Sequence, residues 1–198
     1  MPARCFVAFD LPADAHVLLE RAQDVFLDAE PSWMHEKWVR RDLRHVTVRF
    51  IGRVDDADLP RIEDGLRVAA ARGGPFTLEL AGVHAVPSVR RARMLWGTFA
   101  ERPCELAALA SSIDELLEEG FGVEREDREY SPHVTLVRAR TPREASSAAL
   151  EAARSTVTEA PLEHRRVPVD EIVLYSSTLT RQGPEYRALA AITLGCTG

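Results

Sequence analysis

Ser131-Pro132-His133-Val134-Thr135-Leu136 contains a pattern, His-Val-Thr-aliphatic, that has already occurred at His45-Val46-Thr47-Val48. In a β-strand, side chains alternate between faces, so His and Thr two residues apart point the same way while the aliphatic residues point to the other face. Each copy therefore offers an imidazole and a hydroxyl side by side. With six His and eleven Thr in the chain, one His-x-Thr carries little weight. A second copy with Val between and an aliphatic residue after it arises by chance roughly once in a hundred. The duplication marks a site.

Working outward, the first motif lies on a predicted strand from about Arg44 to Ile51, with His45 and Thr47 on one face, Val46, Val48 and Phe50 on the other, and Gly52 as its end. The second lies on a strand from Ser131 to Val137, with Pro132 at its start, where a missing N–H is tolerated. Phe6-Val7-Ala8-Phe9 reads as a strand that precedes a helix from Ala13 to about Leu27, with apolar positions Val17, Leu18, Val25 and Phe26. Asp56 to Ala71 is a helix with Leu59, Ile62, Leu66 and Ala70 on one face, stopped by Gly73-Gly74-Pro75. Phe76 to Leu80 and Met94 to Phe99 are strands, separated by the basic loop Val86 to Arg93. Pro103 to Glu119 is the strongest helical pattern, followed by charges crowded from Glu124 to Glu129. Pro142 to Arg154 is Ala-rich and helical, Val167 to Thr178 is β-prone, and Gly183-Pro184 turns into a final strand at Tyr186 to Leu194. Trp33 and Trp38, in the loop before the first motif, are read as packing residues.

Each motif strand thus follows a helix, as in a duplicated unit. The expected architecture is α+β, with residues 1–198 as a single domain of two interleaved, pseudo-symmetric lobes. Each lobe is an antiparallel or mixed sheet backed by helices, and the motif strands face each other across a cleft. A doubly wound parallel sheet is the alternative.

The chain's 198 residues suffice for a core without disulfides or a structural metal. Its 45% hydrophobic and 28% charged residues fit a globular protein, and no apolar run approaches the ~20 residues of a membrane span. An Asp and a Pro interrupt the N-terminal apolar run, so no secretory leader and a cytoplasmic location are expected. Cys5, Cys104 and Cys196 are odd in number and widely spaced, as reduced thiols are.

A formal charge of -6 argues against a protein that coats nucleic-acid backbones. Yet six basic residues lie between Lys37 and Arg53 against Asp42 alone, and Arg90, Arg91 and Arg93 cluster. Local basic patches on an acidic chain suit a small anionic ligand or an RNA end.

Two imidazoles near pKa ~6.5 can share acid and base roles at neutral pH, each role worth roughly a hundredfold to ten-thousandfold in rate. Thr47 and Thr135 can donate hydrogen bonds to oxygens that gain charge in a phosphoryl transition state. The chain has no HExxH, no CxxC and no carboxylate cluster tied to the motifs, so no metal or other cofactor is expected. His16, His35, His84 and His164 have no partner at motif spacing and are assigned surface or loop positions.

The paired His-Val-Thr-Val and His-Val-Thr-Leu resemble the signatures of the two-histidine (2H) phosphoesterases, in particular their RNA 2′,3′-cyclic phosphodiesterase branch, also called 2′-5′ RNA ligase or LigT-like. The resemblance continues through Phe6 to Pro12, Trp38-Val39, Arg49-Phe50-Ile51-Gly52, Pro87 to Trp96, Arg128 to His133, and Leu174-Tyr175 with Gly183 and Tyr186. It implies hydrolysis of an RNA-terminal 2′,3′-cyclic phosphate to a 2′-phosphate in a cleft between two lobes, without metal. The symmetric motifs leave open which imidazole does what; the resemblance makes His45 the acid and His133 the base. It also implies phosphate contacts from Thr47 and Thr135, and substrate contacts from Arg138, Arg91, Arg93 and Tyr130. The partner implied is an RNA with a cyclic phosphate end or a small cyclic nucleotide, with no membrane, and a monomer is expected. Leu43-Arg44, Tyr130 and Ser131 depart from the family's usual residues and bear on substrate preference. A non-catalytic binder of RNA ends and a reversible 2′-5′ ligase are the competing readings.

Overall fold

The computed structural model describes residues 3–100, 104–124, 130–181 and 183–195. Pro103, Cys196 and the whole charged run from Arg125 to Glu129 lie outside the described residues. The first half of the chain forms β1 (Ala3–Asp10), α1 (Ala13–Ala29), β2 (Lys37–Trp38), β3 (His45–Val54), α2 (Leu59–Ala71), β4 (Phe76–Val86) and β5 (Ala92–Phe99). The second half forms α3 (Cys104–Phe121), β6 (His133–Arg143), α4 (Ser147–Thr158), α5 (Leu162–Arg165), β7 (Arg166–Val169), β8 (Glu171–Thr180) and β9 (Gly183–Thr193).

The strands form one sheet in the order β7-β4-β5-β6-β3-β1-β8-β9, with β2 paired to β6. Every pairing is antiparallel, which removes the doubly wound alternative. The centre of the sheet is its weakest seam: β3 and β6 meet at the single pair Val46 and Val134. Outward from that seam the halves mirror each other, β3-β1-β8-β9 on one side and β6-β5-β4-β7 on the other. Helices cross between them. α1 and α4 pack together, α4 lies on β4, and α2 and α3 pack together against β9 and β3.

The apolar stripes explain these layers. α3 buries Leu106, Leu109, Ile113 and Leu117, the face its sequence predicts. α2 buries Ile62, Leu66, Ala69 and Ala70. On α1 the inward face is Ala15, Leu18, Leu19, Ala22 and Phe26, so Val17 is exposed and Val25 only half-buried. Small residues at Ala15 and Ala22 let this helix approach the sheet closely. At Gly97 of β5 a Cβ would meet Leu19 Cδ2 at 2.9 Å. Trp33 is fully buried, and its Nε1 donates to the Glu144 carbonyl at 3.1 Å. Cys5 is buried and Cys104 is exposed.

Several boundaries differ from the sequence reading for local reasons. Gly52 does not end β3; with φ +90° it pairs with Cys5, and the strand runs on to Val54. Register shifts against β1 insert Val48 and Ile51 as extra residues in β3. Alternation therefore flips, Arg49 turns to the helices, and Phe50 leaves the core face for solvent. Pro142 does not open a helix: β6 continues to Arg143, and α4 is capped by Ser146, whose Oγ accepts from the Ala149 N–H at 3.4 Å. The β-prone stretch from Val167 breaks at Asp170 into β7 and β8.

Candidate active site

Instead of facing each other across a cleft, the motif strands lie side by side on its floor. Val46 opposite Val134 in an antiparallel pair sets His45 nearest Thr135 and Thr47 nearest His133, all on the face opposite the two valines. Each imidazole thus stands beside the other motif's hydroxyl. His45, Thr47, His133 and Thr135 all line one cleft of about 1750 Å³.

Both imidazoles are held in the same way. His45 Nδ1 lies 3.0 Å from the Leu43 carbonyl and His133 Nδ1 lies 2.8 Å from the Ser131 carbonyl, each two residues back along its own chain. A carbonyl oxygen only accepts, so Nδ1 carries the proton in each ring and Nε2 is left for the cleft. Burial pulls both pKa values below the usual 6.5, and the Leu43 and Ser131 carbonyls oppose it. Asp10 also favours the protonated form of His45, whereas His133 and Arg138 disfavour it.

The surroundings of the two rings differ. His133 stacks on Trp96, centroids 3.7 Å apart and planes 15° apart. His45 sits among Phe6 at 5.0 Å, Tyr186 edge-on at 5.2 Å and Tyr175 at 6.4 Å. The Tyr175 hydroxyl donates to both Asp10 carboxylate oxygens, at 3.0 and 2.9 Å. Burial and the Asp10 charge push the Tyr175 phenol far above its ordinary range, so it stays a neutral donor. Sequence reading notes Trp96, Tyr175 and Tyr186 but gives them no place in the site. The signal is the strand register, with Trp96 opposite Thr135 and Tyr175 opposite Phe6.

Of the further residues expected in the site, Arg138 lines the cleft, between Lys37 and Met94 in register, with its Nη1 3.0 Å from Met94 Sδ. Arg91 and Arg93 are exposed and do not line it. Tyr130 supports it from behind: its hydroxyl donates to the Thr47 carbonyl at 3.0 Å. Arg44 is buried beneath the loop that supplies the Leu43 carbonyl, its Nε donating to the Val39 carbonyl at 3.1 Å and Nη2 to Gln23 at 2.7 Å. Arg49 ties β3 to α3 through Asp114, Nε to Oδ1 2.6 Å. His35, His84 and His164 are exposed as expected, but His16 is half-buried on α1 with Nδ1 enclosed, and burial lowers its pKa.

Cleft-lining cations are Arg4, Lys37, Arg40, Arg44, Arg138 and Arg181; the acids are Asp10, Glu36, Asp42 and Glu185. The cleft is therefore net positive on a chain of charge -6, an arrangement that draws an anion to the floor. Among the described residues no group of three or more His, Cys, Asp or Glu is arranged to hold a metal ion. No described helix is long and apolar enough to cross a membrane.

A duplicated α+β unit with paired imidazoles and hydroxyls in a positive cleft defines the class of phosphoester-handling proteins. The family model of LigT-like phosphoesterases matches residues 11–96 and again residues 100–186, one match per motif. This chain belongs to the LigT-like phosphoesterase family. A relative from Methanothermobacter thermautotrophicus, an RNA 2′,3′-cyclic phosphodiesterase, is 30% identical over 98% of this chain and 100% of its own. One of the same name from Aeropyrum pernix is 33% identical over 82% of this chain and 88% of its own. Among solved structures, E. coli LigT complexed with 3′-AMP superposes with a TM-score of 0.71 at 25% identity, covering 98% of this chain and 99% of LigT. TT0787 of Thermus thermophilus gives 0.75 at 26% identity, covering 97% of this chain and 98% of its own.

Proposed function

We propose that this protein hydrolyses an RNA-terminal 2′,3′-cyclic phosphate to a 2′-phosphate, with His45 and His133 as the only acid and base and no metal. One observation carries the reading: two Nδ1-pinned imidazoles, each beside a threonine hydroxyl, share the floor of one net-positive cleft. The names of the relatives, RNA 2′,3′-cyclic phosphodiesterase, support the substrate.

In this scheme neutral His133 takes a proton at Nε2 from water as the water oxygen bonds to phosphorus. The P–O3′ bond breaks, and protonated His45 gives its Nε2 proton to the departing O3′. The products are a 2′-phosphate and a 3′-hydroxyl, and each imidazole ends in the protonation state the other began with. Thr47 and Thr135 donate to the non-bridging oxygens, and Arg138 offsets their charge. Burial lowers the pKa of both imidazoles, which keeps a neutral His133 available as the base, and at His45 the Leu43 carbonyl and the Asp10 carboxylate offset part of that lowering in favour of the imidazolium an acid needs.

The test is a short RNA with a 2′,3′-cyclic phosphate end, incubated with the protein in EDTA, with 2′- and 3′-phosphate products resolved. A 2′-phosphate product is expected, with His45→Ala and His133→Ala each at least a hundredfold slower and still folded. Near-normal turnover by either variant, a 3′-phosphate product, or loss of activity in EDTA would overturn the scheme. Tight binding of the RNA end without turnover would replace it by a non-catalytic binder.

A further inference from the structure

The cleft is larger than the chemistry on its floor requires: about 1750 Å³, against roughly 300–1,000 Å³ for sites that hold one small ligand. Its wall of β1, β3, β8 and β9 is built in rows. Phe50 lies opposite Phe6, which lies opposite Tyr175. One row further, Arg4 is opposite Ser177; then Leu179 is opposite Pro184, and Arg181 follows in the turn. Leu179 is four strand residues beyond Tyr175, about 13 Å, so a mononucleotide with its phosphate between the histidines does not span the wall.

Two features of this wall serve no purpose in the fold. Phe50 is 58% exposed and Leu179 81% exposed, apolar groups on the wall of an open cleft, the mark of an interaction site. Arg4 and Arg181 are exposed, and among the described residues neither guanidinium makes an ion pair or hydrogen bond. Glu185 is the acid beside them. On the opposite wall most cations are engaged: Arg40 with Asp42, Arg44 with Gln23 and Val39, Arg138 with Met94. Among the described residues Lys37 is the exception.

We infer that the wall of Phe50, Arg4, Leu179 and Arg181 is a track for the RNA strand upstream of the reacting end. The base before the terminal nucleotide stacks on Phe50, an earlier base lies against Leu179, the phosphate between them meets Arg4, and the next phosphate upstream meets Arg181. Stacking platforms alternating with cations is how proteins hold single strands without reading their sequence. The inference rests on the proposed function and narrows its substrate to single-stranded RNA 3′ ends of three or more nucleotides.

The experiment compares kcat/KM for a nucleoside 2′,3′-cyclic phosphate and for a tetranucleotide ending in the same group. The protein as it stands should favour the tetranucleotide at least tenfold. Leu179→Ser should abolish that advantage and turn over the mononucleotide within twofold of the parent, and Arg4→Glu/Arg181→Glu should abolish it by cutting kcat/KM for the tetranucleotide at least tenfold more than for the mononucleotide. Two phosphate contacts should make log kcat/KM for the tetranucleotide fall with log salt at a slope of about -1.4, and the double charge reversal should flatten it. Leu179→Trp should widen the advantage. Equal kcat/KM for both substrates, or an advantage that survives these changes and is lost in Lys37→Glu, overturns the track. Anisotropy of a labelled tetranucleotide with a 2′-phosphate end separates the two readings. If neither substrate turns over, the proposed function fails; binding lost in Arg4→Glu/Arg181→Glu still supports the track, and unchanged binding refutes it.

Discussion

In Asp114→Asn the Arg49 guanidinium keeps a neighbour of the same shape and loses the Asp114 carboxylate. Arg49 is 6% exposed and lies 2.6 Å from that carboxylate, and it joins β3, two residues beyond Thr47, to α3. Removing one partner of a buried ion pair costs about 3–5 kcal/mol, and here the Arg49 Nη2 bond to the Glu124 carbonyl remains to blunt the loss. Asp114 is 24% exposed, so water reaches that end of the pair and the loss falls at the low end of the range, about 3 kcal/mol. For a chain of this size that lowers Tm by about 6–12 °C. Arg49→Met/Asp114→Leu removes both charges together and should return to within about 1.5 kcal/mol of the parent. Urea unfolding of the parent, Arg49→Met, Asp114→Leu and the double variant at pH 7.5 gives the cycle, with Asp114→Asn measured beside it. Asp114→Asn within about 0.5 kcal/mol of the parent, or a double variant as destabilised as the sum of the singles, refutes the reasoning.

Because both motif histidines titrate below 6.5, the free enzyme with one imidazole protonated is most abundant below that pH. The optimum of kcat/KM should therefore lie on the acid side of 6.5, and an optimum above pH 8 contradicts the assignment. The same shifts act on stability. His16, His45 and His133 bind protons more readily unfolded, so their contribution is complete above about pH 6.5 and is lost as pH falls below it. Thermal unfolding should show a lower Tm at pH 5 than at pH 7.5, with a smaller difference in His45→Ala/His133→Ala. Thr47→Val and Thr135→Val should each cost about a hundredfold in kcat with KM and Tm little changed; an effect confined to KM would make them binding groups only. Gly97→Val drives a branched side chain into Leu19 and should lose about 1–3 kcal/mol, read as a lower urea midpoint.

The His-x-Thr strands, the helix stripes of α2 and α3 and the α+β class are legible in sequence because each follows from a short local period, whereas the all-antiparallel pairing is not, since a mixed sheet has the same local pattern. Phe50 leaves its predicted face for a physical reason: the extra residues Val48 and Ile51 exist only relative to β1, and no local pattern announces a register shift. Pro142 is ambiguous because proline suits a helix start and a strand end alike. The pairing of β3 with β6, and with it the placement of His45 beside Thr135, joins residues almost ninety positions apart. Trp96 reaches His133 by the same kind of long-range register, between β5 and β6. The carbonyls that pin the two Nδ1 atoms are local, two residues back in each motif, and so lie within reach of the chain entering each strand.

The seam through Val46 and Val134 divides the sheet differently from the way the repeats divide the chain. One half of the sheet takes β1 and β3 from the first half of the chain and β8 and β9 from the second; the other takes β4 and β5 from the first and β6 and β7 from the second. A cut between β5 and α3 leaves no fragment with a complete half-sheet. The two halves of the chain are exchanged strand for strand, and each half-sheet, with its own histidine, is completed only by strands from the other half.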